Sequence, residues 1–348
     1  MAHLLQRRVV AALPRTRILL VEGRDAVKFL QGIFTNDVNE LKARGDVRYG
    51  GFLTHKGRVV GDADIVQKEA ESFFVTYDAS LEDDLVKHMK KYKLRSKVSI
   101  TNVDEHFRAH VALPALLPKG NEASLLDAWS HEQNSKHADG VVYADPRSAL
   151  LGYKAILPTS TALDTPSSEY EVDADDSLFL RDRRLLLGVC EGAELRDGIP
   201  LEFNFDLLGG VSMTKGCYVG QELISRTHYK GNIRKRAVPF LVVPADHAAD
   251  VPPFTFGAAP SSFAQWTELL ATDAPSVAID QKLVHAESAA TVGKVLVTAT
   301  GMNAGVGMLR LEHLKGGKIL TQDGQFQAVP VAPTWWPHLN PETGKKMQ

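Results

Sequence analysis

The texture of the sequence changes after Arg236. Upstream of it, apolar spacing switches repeatedly between a period of about two and one of about 3.6, so strands and helices share one region. Downstream, AVPFLVVP (237–244) reads as a strand, and GKVLVTATGMNAGVGMLRLEHL (293–314) reads as two strands across a glycine-rich connection. This predicts a mixed region followed by a separate small β domain, with the boundary near 236–240. Residues 244–290 carry little charge and much Ala, Pro and Ser, and read as an insertion in that domain. The tail from Pro333 holds Trp335-Trp336 and is expected to pack back across the surface. GMNAGVG (301–307) lacks the spacing of a dinucleotide fingerprint and reads as a turn.

Within the mixed region, RILLVEG (17–23) reads as a buried strand, followed by helical spacing of Val27, Leu30 and Phe34. YGGFLTHKGRVVGDADIV (49–66) reads as a hairpin turning at residues 55–58, and SFFVTYD (72–78) as another strand. SLEDDLVKHMKKYKL (80–94) is the clearest helix, with acids early, lysines late and a capping box expected from Ser80 and Asp83. Its lysines read as a solvated face. KVSITNV (97–103) and FRAHVAL (107–113) read as strands. FLRDRRLLLGVCEGAEL (179–195) reads as one helix with Cys190 in the core. The polar stretches 118–140 and 158–178 read as irregular surface insertions.

Composition narrows the function classes. Forty basic and 42 acidic residues give a net charge of −2, so no global basic excess points to nucleic acid. Two cysteines in 348 residues exclude a disulfide framework, and no CxxC, zinc-spaced Cys/His cluster or HExxH is present. No apolar run reaches the roughly 20 residues of a membrane span. Residues 1–14 are basic and acid-free, and read either as the remnant of a transit peptide or as a flexible terminus.

KGCYVGQE (215–222) carries the chemistry. Gly209-Gly210 and Gly216 allow a tight loop that carries Cys217, and GQELISRTH is placed to begin a short helix just after it. A thiolate before a helix N-terminus is stabilised by free N–H groups, and Lys215 is expected to add positive charge. Lys215, Arg226, Lys230, Arg234, Lys235 and Arg236 face one acid, Glu222, a local balance of +5 that would draw an anionic ligand or acidic partner. Glu202 lies between Leu201 and Phe203, with Asn204 next. It reads either as an exposed strand residue or as a half-buried carboxylate able to accept the ring amide and amine of a pterin.

KGCYVGQE resembles the K-G-C-[FY]-x-G-Q-E motif of the YgfZ-like branch of the folate-binding, aminomethyltransferase-like proteins, whose enzyme is the glycine-cleavage T-protein. FLQGIFTNDV (29–38), GGFLTHKGRVVGD (50–62), IPLEFNFD (199–206) and GKVLVTATGMNAGVGMLRLE (293–312) look like further segments of the branch, in the same order. The resemblance implies an α+β, T-protein-like fold: a mixed folate-binding region of two subdomains over 15–236, and a C-terminal β barrel over 237–348. The Arg-rich start and Trp-containing tail look most like mitochondrial members of the branch. That implies a mitochondrial-matrix factor that matures four-iron–four-sulfur proteins together with A-type (ISCA-like) scaffold proteins. It favours a non-enzymatic role over folate-dependent one-carbon transfer.

By the same resemblance, Cys217 is the ligand of a transient iron–sulfur cluster shared with the partner. Lys215, Gly216, Tyr218, Gly220, Gln221 and Glu222 form the rest of the motif. Glu202, with Asn204, takes the place of the acid that reads the pterin of tetrahydrofolate. The enzyme's catalytic aspartate would fall near TNVDEHFRA, where Asp104 and Glu105 sit in a poorly matching context. Neither DNA nor a membrane span is implied.

Overall fold

The computed structural model describes residues 5–117, 121–173, 177–246, 254–256, 268–272, 275, 277–314 and 316–347. The chain enters through β1 (Val9–Ala12) and β2 (Thr16–Glu22), then α1 (Ala26–Ile33). The hairpin β3 (Val47–Leu53) and β4 (Val59–Glu69) follows, then β5 (Ser72–Asp78), α2 (Glu82–Lys93) and β6 (Ser99–Asn102). Five strands form an antiparallel sheet in the order β3-β4-β5-β2-β6. Phe29, Leu30 and Ile33 of α1 and Leu85 and Met89 of α2 bury their apolar faces on it. The expected capping box is absent. Asp78 instead accepts the Ser80 N–H in a short 3-10 turn, and α2 starts after it without a side-chain cap.

A second sheet runs β10-β1-β7-β9-β8, built from β1, β7 (Phe107–Leu113), β8 (Val141–Ala144), β9 (Tyr153–Pro158) and the short β10 (Glu171–Asp173). The two sheets share a core: Ile18, Val66 and Phe74 of the first meet Val141, Tyr143 and Ile156 of the second. Two polar stretches read as irregular hold structure. α3 (Glu122–Lys136) lies within 118–140, and β10 within 158–178. The helix escapes periodicity because its buried side is half polar: Leu126 and Trp129 are buried beside Ser130 and Gln133. Asn134 ties it to β8, accepting the Val142 N–H at 2.9 Å and donating to the Val142 carbonyl at 2.8 Å.

α4 (Ser177–Leu186) ends nine residues short of the end of the helix expected over 179–195. Gly188 takes φ +73°, and a Cβ there would meet the Pro239 ring at 2.7 Å, so the chain turns against the barrel. Cys190, beyond that turn, is buried as expected. After α5 (Gln221–Lys230) the chain enters β11 (Lys235–Pro244). With β12 (Lys282–His285), β13 (Thr291–Thr298), β14 (Ala304–Arg310), β15 (Ile319–Thr321) and β16 (Phe326–Pro330) it closes a six-stranded barrel, β11-β14-β13-β12-β15-β16. β12 is thus a barrel strand inside the segment read as an insertion, much of whose remainder lies outside the described residues. The tail does pack back: Trp336 is buried with the barrel core, and Trp335 Nε1 donates to the Leu187 carbonyl at 2.8 Å. No described helix is long and apolar enough to cross a membrane.

Candidate functional site

The motif loop is laid across the C-terminal end of α1. Thr35 Oγ1 donates to the Gly210 carbonyl at 2.6 Å and accepts the Gly51 N–H at 2.8 Å. Asn36 Nδ2 donates to the carbonyls of Tyr49 and Gly209, both at 2.7 Å. The Ser212 N–H reaches the Thr35 carbonyl and the Val219 N–H the Gly32 carbonyl. The Thr-Asn-Asp segment, the hairpin and the motif, far apart in sequence, therefore meet in one place.

Lys215 departs from expectation. Its ammonium does not face the thiol but donates to three carbonyls, of Gln31 (2.8 Å), Phe34 (2.7 Å) and Asn36 (2.7 Å). It also lies 4.9 Å from the Tyr218 ring centre. Burial pushes its pKa down to about 8, against the pull of Asp37. Lys215 thus pins the loop to α1, and α1's otherwise open carbonyls are satisfied. Burial likewise pushes Tyr218 up to about 12.

Cys217 is exposed, whereas Cys190 is buried and burial pushes its thiol well above the ordinary value. Gly216 beside Cys217 is exposed as well. Gly220 caps α5 with φ +80°, and a Cβ there would lie 2.4 Å from the Thr54 carbonyl oxygen, so only glycine fits. Gln221 turns its Oε1 back to the Tyr218 N–H at 3.0 Å, and Glu222 is exposed in the first turn of α5. Lys215, Tyr218 and Val219 are held against the framework and Gln221 closes the loop on itself, while Cys217 and Glu222 are exposed.

The basic patch is smaller than the sequence suggests. Arg226, Lys230 and Arg234 are exposed, with no ion pair among the described residues. Lys235 lies 3.3 Å from Glu202. Arg236 leaves the patch altogether. It is fully buried, binds Asp206 through two nitrogens at 2.9 and 2.8 Å, and donates to the carbonyls of Leu201 and Gly344. The physical reason is strand alternation: β11 points Lys235 outward and Arg236 inward.

The residues expected to read a pterin fall elsewhere. Asn204 is fully buried at φ +64°, and its side chain donates to the Ala237 carbonyl and accepts from Arg236, which anchors β11. Glu202 is half-buried, and burial raises its pKa against the opposing charge of Lys235. Neither residue lines the cavities between the sheets. Asp104 accepts the Ile18 N–H at 2.7 Å and lines neither cavity.

The larger cavity, of ≈ 490 Å³, lies among β1–β2, β7, β9, α4 and residues 191–194, and a smaller one of ≈ 70 Å³ adjoins it over Asp62 and Asp64. Their walls hold a buried ion-pair network that sequence reading missed. Lys154 bridges Asp64 (2.7 Å) and Asp145 (3.1 Å). Arg147 binds Asp145 and Glu191, and Arg184 binds Glu191 and Glu194. Burial opposes charge on Asp145 and Glu191, but the cations prevail: Asp145 is held below the ordinary carboxylate range and Glu191 at about 2. Asp62, which accepts the Gly192 N–H but forms no ion pair among the described residues, is pushed up to about 7 by burial and by Glu191, against the pull of Arg147. One signal was in the sequence: GDADIV puts two acids at i and i+2 on one face of an otherwise apolar strand.

Residues 14–113 match the family model of the GCVT N-terminal domain, and residues 234–338 that of the CAF17 C-terminal beta-barrel domain. The fold is similar to the crystal structure of glycine cleavage system aminomethyltransferase T from Bartonella henselae, with a TM-score of 0.66 at 16% identity over 97% of this chain and 90% of that one. At that identity the likeness shows the fold alone. The chain is 30% identical over 374 residues to a protein of Mycosarcoma maydis named iron-sulfur cluster assembly factor IBA57 homolog, mitochondrial, covering 95% of this chain and 86% of the relative. It is also 30% identical to the Homo sapiens mitochondrial iron-sulfur cluster assembly factor IBA57, over 93% of this chain and 84% of the relative. The chain belongs to the IBA57 family of mitochondrial iron–sulfur cluster assembly factors.

Proposed function

We propose that this protein holds an iron–sulfur cluster, as cargo, between itself and a partner, with Cys217 supplying one ligand. The observation that carries the reading is the contrast at the motif: an exposed thiol on a loop whose neighbouring side chains are committed to the framework. One thiolate cannot hold a cluster, which takes about four protein ligands. Among the described residues, no three His, Cys, Asp or Glu side chains gather to bind a metal. The remaining ligands therefore come from a second protein, and an A-type (ISCA-like) scaffold carrying its own cysteines fits that need. Arg226, Lys230 and Arg234, on α5 and the segment after it, give an acidic partner face a place to dock. The names of the relatives support a mitochondrial role in iron–sulfur cluster assembly, to which this reading adds the matrix as the place and four-iron–four-sulfur proteins as the clients.

The test is anaerobic. The full chain is mixed with a cluster-loaded A-type scaffold, and visible absorption and complex mass are followed for wild type and Cys217→Ser. A coloured heterocomplex that the variant fails to form supports the reading; equal behaviour of the two proteins sinks it.

Tetrahydrofolate-dependent transfer is the competing reading. It is supported by the aminomethyltransferase fold and the ≈ 490 Å³ cavity. The residues expected to read the pterin do not fit it: Glu202 and Asn204 do not line the cavity, and its carboxylates Asp78, Asp145, Glu191 and Glu194 are tied up in ion pairs. Equilibrium dialysis with tetrahydrofolate, on wild type and Glu202→Gln, checks the point.

A further inference from the structure

If Cys217 is a shared cluster ligand, the protein that supplies the other ligands must also lie against what surrounds the loop. On that reading, we propose that α5 is the helix on which this partner docks, and that the partner presents an acidic rim around an apolar slot that takes the Tyr229 ring.

α5 starts four residues after the thiol, and Ile224 is its buried anchor. Glu222, Ser225, Arg226, Tyr229 and Lys230 are exposed, and at about 3.6 residues per turn they share the face opposite Ile224. Tyr229 is 67% exposed, the one aromatic among the large apolar side chains that the described surface leaves open. Its ring stands edge-to-face on His228, with centroids 4.8 Å apart. A ring braced in this way has little freedom to lose on binding. Tyrosine and arginine are the side chains that most often carry the binding energy of a protein interface.

Charge sets the side from which the partner approaches. The turn between β3 and β4 packs on the first turn of α5: a Cβ on Gly57 would meet Leu223 Cβ at 2.5 Å and the Gly220 carbonyl oxygen at 2.9 Å. This brings exposed Lys56 and Arg58 to the same side as exposed Arg226, Lys230 and Arg234. The exposed acids beside these cations are Glu222 and Asp197, while Glu202 is paired with Lys235. The face is therefore positive on a chain of net charge −2, and steers an acidic protein. On the other side of the loop, the turn after α1 carries Asp37 and Glu40, with Glu40 paired to Arg48. A ten-residue helix is about 15 Å long and a specific interface on the order of 30 Å across, so a partner that meets Cys217 from the positive side also covers Tyr229. Single-stranded nucleic acid fits less well, because Glu222 stands at the motif end of the face and a cluster needs protein ligands.

Anaerobic surface plasmon resonance of the full chain against a cluster-loaded A-type scaffold tests the docking face. Tyr229→Ala should raise Kd about thirtyfold, chiefly through faster dissociation, with Tm unchanged and the cluster still formed at saturating partner. Tyr229→Phe should bind like wild type, because the slot reads the ring. Lys56→Glu should slow association several-fold at low salt, and the difference should vanish at high salt. Tyr229→Ala binding as wild type does, while Cys217→Ser loses the cluster, overturns the docking helix and leaves the shared ligand standing. Weak binding by Tyr229→Ala, with a cluster that survives in Cys217→Ser, keeps the docking face and removes the ligand. No binding by wild type overturns both. A single-stranded RNA that binds wild type more tightly than the scaffold does, and loses that affinity in Tyr229→Ala, assigns the face to nucleic acid and overturns the proposal.

Discussion

The motif loop and the cavity between the sheets use their polar groups in opposite ways. At the loop, Lys215, Gln221, Thr35 and Asn36 all bind backbone, and the exposed thiol of Cys217 is left for something outside the chain. In the cavity, side chains bind side chains, and Arg183, buried within the field of Glu122, has one hydrogen-bond partner among the described residues. Two cations make the contrast concrete: the Lys215 ammonium meets three carbonyls, while the Arg183 guanidinium meets one. The contrast leaves the exposed thiol of Cys217 as the group the framework does not consume.

If the regions are independent, damage to one should not reach the other. Asp145 pairs with both Arg147 and Lys154. Asp145→Asn leaves both cations short of charge, and breaking such a buried pair costs about 3–5 kcal/mol. Urea unfolding should show that loss, while the native-state alkylation rate of Cys217 stays at the wild-type value. A parallel rise in alkylation would break the comparison.

Asp62 sharpens it through pH. Its folded pKa is raised from 3.8 to about 7, so between about pH 4 and 7 the folded chain keeps a proton that the unfolded chain has released. Stability therefore falls as pH climbs through that window, and the penalty is complete above it. Asp62→Asn keeps an oxygen for the Gly192 N–H and cannot ionise. It should flatten the slope and stabilise the protein at pH 8 by about 1–4 kcal/mol. Glu191 works in the other direction: held at about 2, it adds stability above the ordinary Glu range that is lost as pH falls through 2. Denaturant melts from pH 3 to 8 on both proteins separate the two effects.

Lys215→Met removes the donor from three carbonyls. Stranding buried acceptors costs about 1–3 kcal/mol. The loss should appear first at the loop, as faster hydrogen exchange at the Ser212 and Val219 amides, which bond to Thr35 and Gly32. Exchange in β4 and β5 should hold. Uniform acceleration throughout would mean that Lys215 supports the whole fold and not the loop alone.

What the sequence disclosed follows from the range of the interactions. The hairpin of β3 and β4, strand β5 and helix α2 are written in local spacing, and the barrel in a change of texture. α3 was hidden because its buried face includes the polar side chains of Ser130 and Gln133, which interrupt the apolar period. The end of α4 depends on how closely Gly188 approaches Pro239, some fifty residues on. The motif was legible because its residues are consecutive, yet the direction of Lys215 was not, since adjacency in sequence says nothing of where a long side chain points. Arg236 read as the end of a basic run, and strand alternation turned it inward. The cavity network joins Asp64, Asp145, Lys154 and Glu191 from four separate stretches, and no spacing rule connects them.

The smallest effect belongs to the patch beside the motif. Arg226, Lys230 and Arg234 are exposed and contribute little to stability, so Arg226→Glu with Lys230→Glu should leave Tm nearly unchanged, within about 0.5 kcal/mol. If an acidic partner docks there, the double variant should bind a cluster-loaded A-type scaffold more slowly at low salt, by about tenfold, because surface charge acts chiefly on encounter. The difference should shrink as ionic strength rises and the Debye length falls to about 8 Å. At saturating partner the cluster should still form, because its ligand on this chain, Cys217, is untouched. Stopped-flow absorbance at two salt concentrations measures both quantities. A variant that associates normally but fails to hold the cluster would put the cations among the groups that fix the cargo, and the division between an open thiol and a surrounding framework would have to be redrawn.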